Sequence, residues 1–370
     1  MENNFNEILS KTCFFDINAR DIDRYAVFFL GVEKAPKLMI LENPVEYKKY
    51  LKSGKFKDAN IQCSAWCSIK KFKRIFKENN IKYLVLDAHR IPDVHVIIAA
   101  KKCNIDILYI QHGMYIPFMK RNNSMFLLKI IKTLRYLYYS INSGVELNDL
   151  SLGKKLFDVH VRGKDREIVK EYDIFPETAA VFSDYWLQWH KEHYAFEKVK
   201  MFIMGSPDFR KYTFSEKLNT NTVAYCYQSL VEDGRILKSD MYKFYTSLSK
   251  WAKTNNHKVV VKVHPVANKS ILKDLEEKYN FRLEYDEVPN TDIVIGHYSS
   301  LLPYWGINSR KVVCVALEGH PVHHSIADWA YVINDIEKLD IEQVTVDAKK
   351  CAYYFDKTIT VHDLRNKLFE

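Results

Sequence analysis

The sequence lacks the motifs that identify many nucleotide- and metal-dependent enzymes. Its 370 residues include only 11 glycines and form neither a Gly-x-x-x-x-Gly-Lys-Ser/Thr phosphate loop nor a Gly-x-Gly-x-x-Gly dinucleotide fingerprint. It also contains no His-Glu-x-x-His zinc motif and no Gly-x-Ser-x-Gly nucleophile elbow. These absences argue against P-loop NTPases, dinucleotide-dependent dehydrogenases, zinc proteases and α/β-hydrolases.

Cysteine is scarce and poorly paired. The seven cysteines are an odd number, and most lie in apolar stretches, as expected of reduced, buried thiols in a cytosolic protein. Cys63 and Cys67 are the only close pair, and no second Cys or His pair at metal-ligand spacing accompanies them. We therefore predict metal-independent chemistry without a bound cofactor.

Long hydrophobic runs are missing as well. No stretch of about 20 apolar residues is available to span a bilayer. Residues 1–5 lack the basic region and apolar run of a signal peptide, which predicts a cytoplasmic protein. Lys and Arg number 55 against 46 Asp and Glu, so the formal charge of +9 favours anionic partners such as nucleic acid, sugar nucleotides or acidic lipids.

Apolar runs alternate with helical patterns along both halves of the chain. Continuous runs of this kind suit strands that are buried on both faces of a parallel sheet. Gly205-Ser206-Pro207 separates the two series, because Gly and Pro interrupt regular structure. The pattern predicts an α/β fold of two Rossmann-like, doubly wound domains facing a central cleft, residues 1–205 and residues 206–370. The runs are residues 38–41, 83–86, 105–110, 222–227, 258–263, 292–295 and 311–315.

Polar residues follow several of the predicted strands at the point where each strand ends. In an open α/β sheet, the loops at the carboxyl ends of strands converge on the crevice where ligands bind. Five such segments therefore predict one site for transfer chemistry on a phosphorylated, nucleotide-linked donor. They are Tyr109-Ile110-Gln111-His112-Gly113, Gly205-Ser206-Pro207-Asp208, Glu232-Asp233-Gly234, Lys262-Val263-His264-Pro265 and His297-Tyr298-Ser299-Ser300.

Two of these segments predict phosphate binding. His264, held by the turn at Pro265, is expected to hydrogen-bond a donor phosphate or to protonate the leaving phosphate. The alternative is a histidine that ends a strand for structural reasons only. Ser299 and Ser300 are expected to bind an anion at a helix N-terminus, although serine is also a common N-cap.

The base that removes the acceptor proton has two candidates. The adjacent carboxylates of Glu232 and Asp233 are one, with a solvated acidic turn as the alternative interpretation. His112 is the other, since it ends a buried strand and Gly113 allows a substrate to approach the backbone closely. The remaining candidates are Asp87, His89 and Gln111 on the acceptor side, and Gly205, Arg235 and Lys262 on the donor side.

Basic residues interrupt an apolar and aromatic helix predicted over residues 124–139. Such a helix suits the membrane interface, where Lys and Arg reach anionic headgroups. The alternative is a core helix with one basic edge. The first interpretation predicts peripheral contact with the inner face of an anionic membrane through residues 120–139. Its basic residues are Lys120, Arg121, Lys129, Lys132 and Arg135.

The order of these motifs resembles that of two-domain, GT-B fold glycosyltransferases that build bacterial surface polymers. The chain is similar to CDP-glycerol glycerophosphotransferases and, in another set of motifs, to bacterial sialyltransferases and polysialyltransferases. At the residue before Tyr298, where the first family has an acidic residue, this chain has His297. The first likeness rests on His112-Gly113, Gly205-Ser206-Pro207, Lys262-Val263-His264-Pro265 and Tyr298-Ser299-Ser300, and the second on Glu232-Asp233-Gly234, His264-Pro265 and Ser299-Ser300.

The resemblance implies an inverting, metal-independent glycosyltransferase of capsule, lipooligosaccharide or O-antigen synthesis. Its donor would be a CMP-activated acidic sugar such as sialic acid, and its acceptor a glycan or a lipid-linked glycan. In the sialyltransferases the acidic motif supplies the base, His-Pro acts on the donor phosphate and the serines hold the CMP phosphate. Alternatives are a CDP-glycerol or CDP-ribitol polyol-phosphate transferase and a UDP-GlcNAc 2-epimerase-like isomerase. A nucleic-acid-binding protein fits the charge but not the polar strand ends, so no nucleic-acid partner is predicted.

Overall fold

A computed structural model describes most of the chain. For residues 2–4, 126–129 and 159–162 it describes the backbone only. The described residues are 2–19, 22, 30–32, 36–53, 60–111, 113–114, 126–162, 170–206, 209–210, 212, 214, 221–232, 234–264, 267–356 and 359–369.

The chain divides into two compact units. The first unit comprises residues 1–112, 126–205 and 359–370, and the second comprises residues 113–125 and 206–358. The last twelve residues, predicted as part of the domain of residues 206–370, therefore belong to the first unit instead.

The contacts of the C-terminal helix explain why residues 359–370 belong to the first unit. Leu364 and Leu368 are buried, and the Phe369 ring lies 5.7 Å from that of Phe5 in an edge contact. The Arg365 guanidinium donates to the Leu30 and Gly31 carbonyls at 2.6 Å each. No local sequence pattern near residue 359 indicates that the chain packs against the first unit from there on.

The first unit is built on a seven-stranded sheet. Every strand pair in it is parallel, and the strands lie in the order β3-β2-β1-β4-β5-β6-β7. The predicted runs 38–41 and 83–86 are confirmed as strands, and the run 105–110 forms a strand from residue 106. The strands are β1 Thr12–Asp16, β2 Leu38–Leu41, β3 Asn60–Cys63, β4 Tyr83–Leu86, β5 Asp106–Ile110, β6 Thr178–Val181 and β7 Lys200–Ile203.

The second unit contains a six-stranded sheet, again with every pair parallel. Its order is β10-β9-β8-β11-β12-β13. The strands are β8 Thr222–Cys226, β9 Lys258–Lys262, β10 Arg282–Glu284, β11 Ile293–Gly296, β12 Lys311–Val315 and β13 Tyr331–Ile333.

Both sheets are doubly wound. Numbered within its own unit, each sheet has the strand order 3-2-1-4-5-6, and the first sheet adds a seventh strand at its edge. This is the Rossmann order, in which the direction of winding reverses between the first and fourth strands and ligands bind beside their carboxyl ends. The predicted α/β class with two doubly wound units is therefore confirmed, whereas the central cleft stays a prediction.

Helices cover the sheets through apolar faces. The helix Ile69–Glu78 begins where the Ser68 side chain accepts from the Lys71 N–H, and it buries Ile69, Phe72 and Phe76 on one face. In the described part of the chain, no helix is both long and apolar enough to cross a membrane. The α-helices are α1 Glu2–Leu9, α2 Pro44–Ser53, α3 Ile69–Glu78, α4 Ile91–Lys101, α5 Phe126–Glu146, α6 Leu150–Arg162, α7 Asp184–Tyr194, α8 Lys238–Thr254, α9 Lys269–Glu277, α10 Leu302–Ile307, α11 His324–Ala327, α12 Ala348–Tyr354 and α13 Val361–Phe369, and short 3-10 helices cover Phe196–Lys198, Ile336–Lys338 and Ile341–Gln343.

Candidate functional site

Three of the predicted motifs follow three adjacent strands in the centre of the second sheet. Glu232 lies in the loop after β8, His264 follows β9 and Ser299 follows β11. Because β9, β8 and β11 are neighbours and parallel, their carboxyl ends lie at one edge of the sheet. A hydrogen bond from the Tyr298 N–H to Gln228 Oε1 (3.0 Å) joins the loops after β8 and β11.

His264 is held at this edge by a serine that sequence analysis missed. Ser229 Oγ lies 3.2 Å from His264 Nδ1, and His264 itself is partly buried. The contact fixes the ring beside the end of β9. Pro265 lies outside the described residues. The signal for Ser229 was weak, since the only clue was a hydroxyl in the loop after a neighbouring strand.

Glu232 has a structural role in this arrangement. Its Oε1 accepts from the Tyr227 hydroxyl and from the Asn268 N–H, both at 2.7 Å. Asn268 is the N-cap of α9, so the carboxylate ties the β8 loop to the start of that helix. Both bonds go to Oε1, so a base at Glu232 would act through Oε2. The other two candidate bases, Asp233 and His112, lie outside the described residues.

The two serines do not cap a helix in the predicted way. The N-cap of α10 is Leu301, and the helix has only six residues, so it offers little of the dipole expected there. Ser299 Oγ instead accepts from the Leu301 N–H at 3.2 Å, and Ser300 is exposed. Burial raises the pKa of the Cys226 thiol to about 11, and a hydrogen bond with Ser299 opposes that shift.

The other donor-side candidates occupy separate positions. Lys262 is only 7% exposed and donates from Nζ to the Tyr285 carbonyl at 2.6 Å, so its ammonium supports the loop after β10. Gly205 has φ +73°, a left-handed backbone that favours glycine, and it belongs to the first unit. Arg235 lies on the wall of a cavity in the second unit.

That cavity has a volume of about 420 Å³, within the usual range for small-ligand sites. It lies between the start of α8 and the loops that follow β12 and β13, where Val315, Phe244 and Ile336 form apolar parts of its wall. Cations and anions both line it, so it suits a ligand with an anionic part and hydrogen-bond donors. The charged and titratable lining residues are Arg235, Asp240, Lys243, Glu318, His320 and Asp335.

The corresponding edge of the first sheet is acidic and buried. Asp16 at the end of β1 and Asp87 after β4 lie on either side of its switch point, together with Asp93 of α4. Arg90 bonds all three, with Nε 2.7 Å from Asp93 Oδ2 and Nη2 3.4 Å from both Asp16 and Asp87. Burial by itself would lower the pKa of Arg90. The three carboxylates outweigh this effect, so the pKa lies above the ordinary value of an arginine. Only Asp87 was identified from the sequence.

A second acidic group lies at the end of β2. Glu42 is 1% exposed, and its Oε1 lies 2.7 Å from Arg135 Nε and 3.0 Å from the Tyr139 hydroxyl. Burial raises the pKa of Glu42 despite the opposing effect of Arg135. This contact corrects one prediction, because Arg135 pairs with a buried carboxylate rather than facing lipid headgroups.

His89 and Gln111 are buried and hold first-unit loops. His89 Nε2 lies 2.9 Å from the Ile174 carbonyl, and burial lowers the pKa of this histidine. Gln111 Oε1 accepts from the Phe182 N–H at 2.9 Å. Both side chains therefore make structural contacts, and an acceptor-binding role for them stays a prediction.

Two observations bear on metal binding. Within the described ranges, no group of three or more His, Cys, Asp or Glu side chains could hold a metal ion. The sequence does contain an Asp-x-Asp tripeptide, Asp21-Ile22-Asp23, in which only Ile22 is described. This pattern occurs in many metal-dependent sugar-nucleotide enzymes, so metal independence stays a prediction.

Comparison with known proteins gives distant structural likenesses only. No family model and no curated protein matches the chain. Similar solved structures include the UDP-GlcNAc 2-epimerase of Methanocaldococcus jannaschii, at 8% identity over 93% of this chain and 90% of that one, with a TM-score of 0.45. The wall teichoic acid polymerase TagF has 12% identity over 97% of this chain and 88% of that one, with a TM-score of 0.44. Likenesses this distant carry no argument about activity.

Proposed function

We propose that the protein is an inverting, metal-independent glycosyltransferase that binds a cytidine nucleotide-linked donor at the carboxyl edge of its second unit. One observation carries the proposal. The β8 loop, His264 and Ser299 follow three adjacent central strands, and they do so at the switch point where doubly wound sheets bind ligands. The preferred donor is a CMP-activated acidic sugar.

His264 has the chemistry that such a reaction needs. Displacement of CMP from the donor leaves negative charge on a phosphate, and an imidazole N–H can donate to that oxygen or transfer a proton to it. Ser229 holds the ring through Nδ1, so the geometry is fixed before the charge develops. Arg235, on the cavity wall, is a hydrogen-bond donor for the rest of the nucleotide, whereas Lys243 pairs with Asp240, with Nζ 2.9 Å from Oδ1.

The acceptor side of the proposal belongs to the first unit. The acceptor is a glycan or lipid-linked glycan of capsule, lipooligosaccharide or O-antigen synthesis. The carboxylates of Asp16 and Asp87, at the first switch point, are buried against Arg90, so they act on a ligand through their charge rather than by contact. A negatively charged edge favours hydroxyl-rich sugars over phosphates, because it repels anions. The base is assigned to Glu232, Asp233 or His112, and Glu232 would act through Oε2 because its Oε1 accepts two hydrogen bonds.

A polyol-phosphate transferase using CDP-glycerol or CDP-ribitol is the second candidate. It is favoured by the Lys262-Val263-His264-Pro265 segment, whose histidine follows β9. His297 stands where that family has an acidic residue, and it is buried with Nδ1 2.8 Å from the Val315 carbonyl. Burial lowers the pKa of His297 to about 4, so a neutral ring replaces the carboxylate there.

A binding experiment tests the proposal. Thermal shift of the full chain with CMP, CDP, UDP and GDP, with EDTA present, should show the largest stabilisation with CMP or CDP. Equal shifts for all four nucleotides, or a shift that needs added metal, would contradict it. Incubation with CMP-sialic acid and CDP-glycerol in parallel then separates the two candidates, since only the true donor should release CMP in an acceptor-dependent manner.

A further inference from the structure

The outer face of α5 is apolar, although its inner face is polar. Six of the fourteen large apolar side chains that are exposed among the described residues lie on this helix. Five of them recur at intervals of three or four residues and so lie on one face. Leu134 is 53% exposed and Val145 57%. The six, named here the α5 stripe, are Ile130, Ile131, Leu134, Leu137, Ile141 and Val145.

The inner face explains why the stripe cannot turn inward. Tyr139 bonds Glu42, and Ser143 Oγ lies 3.1 Å from His95 Nδ1 on α4. At Gly144 an added Cβ would lie 2.7 Å from the Asp149 carbonyl oxygen, so this position packs tightly against the turn that leads into α6. These contacts fix the rotation of the helix. The stripe is therefore a built feature of the surface, and the alternative of a core helix with one basic edge does not describe it.

A basic helix flanks the stripe. Lys73 of α3 pairs with Glu146 at the C-terminal end of α5, with Nζ 2.6 Å from Oε1. Just before α3, the ring of Trp66, 46% exposed, lies 5.5 Å from the ring of Tyr138. The exposed side of α3 has a single carboxylate, Glu78, among its charged residues. Its exposed cations, named here the α3 cations, are Lys70, Lys71, Arg74 and Lys77.

We propose that the α5 stripe and the α3 cations form one surface that binds an anionic lipid bilayer, independently of the reaction proposed above. Apolar side chains enter the boundary between headgroups and acyl chains, while lysine and arginine pair with lipid phosphates. Trp66 and Tyr138 suit the headgroup level, because their rings combine an apolar body with a polar group. The charge on α3 selects a membrane over a neutral protein groove.

This surface differs from the one expected from the sequence. Arg135 points to Glu42, while Lys120, Arg121 and the side chain of Lys129 lie outside the description. Lys132 of α5 is exposed as expected, with its Nζ 5.2 Å from the centre of the Tyr136 ring. The other cations that flank the stripe come from α3, about 60 positions earlier in the chain.

Vesicle co-sedimentation of the full chain tests the surface. At low salt the protein should sediment with vesicles of equimolar phosphatidylcholine and phosphatidylglycerol, but not with phosphatidylcholine alone. The triple variant Lys70→Gln, Arg74→Gln and Lys77→Gln should bind about 100-fold more weakly, the loss expected when three cations leave an anionic surface. The pair Leu134→Gln and Ile141→Gln should bind at least tenfold more weakly, even at low salt.

Matched controls separate this surface from general charge and general hydrophobicity. Lys253→Gln, Lys273→Gln and Lys349→Gln remove three exposed cations from the second unit. Val45→Gln and Leu51→Gln remove two exposed apolar side chains from α2. Both control variants should bind vesicles like the wild type, and thermal denaturation should show that all four variants are folded.

Three results would overturn the proposal. One is wild-type protein that ignores anionic vesicles, and another is an equal loss of binding in test and control variants. The third comes from sedimentation velocity in the absence of lipid. Suppose that the wild type is a dimer that binds no vesicles, and that the pair Leu134→Gln and Ile141→Gln makes it a monomer. A second copy of the chain, rather than a membrane, would then cover the α5 stripe.

Discussion

The two sheets share one strand order, but the side chains at their carboxyl edges differ in type and charge. In the first unit the edge carries buried carboxylates, Asp16, Asp87 and Asp93, around Arg90. In the second unit it carries an imidazole and hydroxyls, and a cavity lined by both cations and anions lies at the loops after β12 and β13 of the same sheet. The fold therefore supplies the position of a site, and the residues at the strand ends decide which ligand it accepts.

The charge at each edge is the reason for placing the donor on the second unit and the acceptor on the first. An anionic donor is repelled by the first edge, where the carboxylates outnumber the arginines that contact them. The second edge offers the imidazole of His264 and, on the cavity wall, the guanidinium of Arg235 to a phosphate. The following changes should act on one edge and leave the other unaltered.

The largest effect is expected from Arg90→Met. This change leaves three buried carboxylates without the guanidinium that bonds them, which should lower the free energy of unfolding of the first unit by about 3–5 kcal/mol. Hydrogen exchange resolved by peptide measures this in each unit. The exposed Arg74→Met, whose partner Glu78 lies 3.8 Å away, is the control and should cost less than about 1 kcal/mol. A first unit with unaltered exchange in Arg90→Met would contradict the account of this edge.

His264→Ala should act on the second edge only. We expect turnover to fall on the order of 100-fold, about 2.7 kcal/mol of transition-state stabilisation, because the ring acts on charge that develops during reaction. Release of CMP from the donor is the measurement, and an unchanged melting temperature is the control. A folded variant with wild-type turnover would remove His264 from the mechanism.

Acidification should weaken the first unit more than the second. Burial lowers the pKa of His95 and His190 to about 4, while an unfolded chain titrates near 6.5. The unfolded state therefore binds more protons between these values, and stability falls as the pH drops from 6.5 toward 4. By pH 5 each ring should cost roughly 2 kcal/mol. Glu42, whose pKa burial raises, offsets a small part of this loss.

The second unit provides the contrast for this titration. It has two such rings, His297 and His323, with the pKa of each lowered to about 4. The first unit has a third ring, His89, whose pKa burial also lowers, so more of its histidines resist protonation in the folded state. Hydrogen exchange at pH 7 and pH 5 should show a larger loss of protection in the first unit. An equal loss in both units would mean that the buried histidines do not set the acid response.

The smallest effect is expected from Ser229→Ala. Loss of the contact with His264 Nδ1 should lower turnover by about fivefold, since one neutral hydrogen bond contributes about 1 kcal/mol. In a His264→Ala background the same change should have no further effect, because the two residues act through one contact. Full additivity of the two losses would show that Ser229 acts elsewhere.

Local patterns in the sequence predicted the apolar strands β2, β4, β5, β8, β9, β11 and β12, but they missed β1, β3, β10 and β13 and all long-range partners. The run Val259-Val260-Val261 predicts β9, because consecutive apolar residues are expected where both faces of a strand are buried. Arg135 was expected to reach lipid, since its partner Glu42 lies 93 positions away and at the end of another strand. The return of α13 to the first unit is likewise invisible locally.

The candidate site was predicted in part for the same reason. Motifs at strand ends are visible in a sequence, so His264 and Ser299 were identified together with their strands. The contacts that define their roles are not visible. Glu232 was one of the expected bases, but no sequence pattern indicated the bond that its Oε1 accepts from the Asn268 N–H at the start of α9.

Hydrogen exchange of the full chain with and without CMP tests the central claim most directly. The account predicts protection of peptides that cover residues 222–236, 258–268 and 293–302, with none at residues 12–19 or 83–93. Protection at the first-unit peptides instead, or no protection anywhere at saturating CMP, would contradict the assignment of the nucleotide to the second unit.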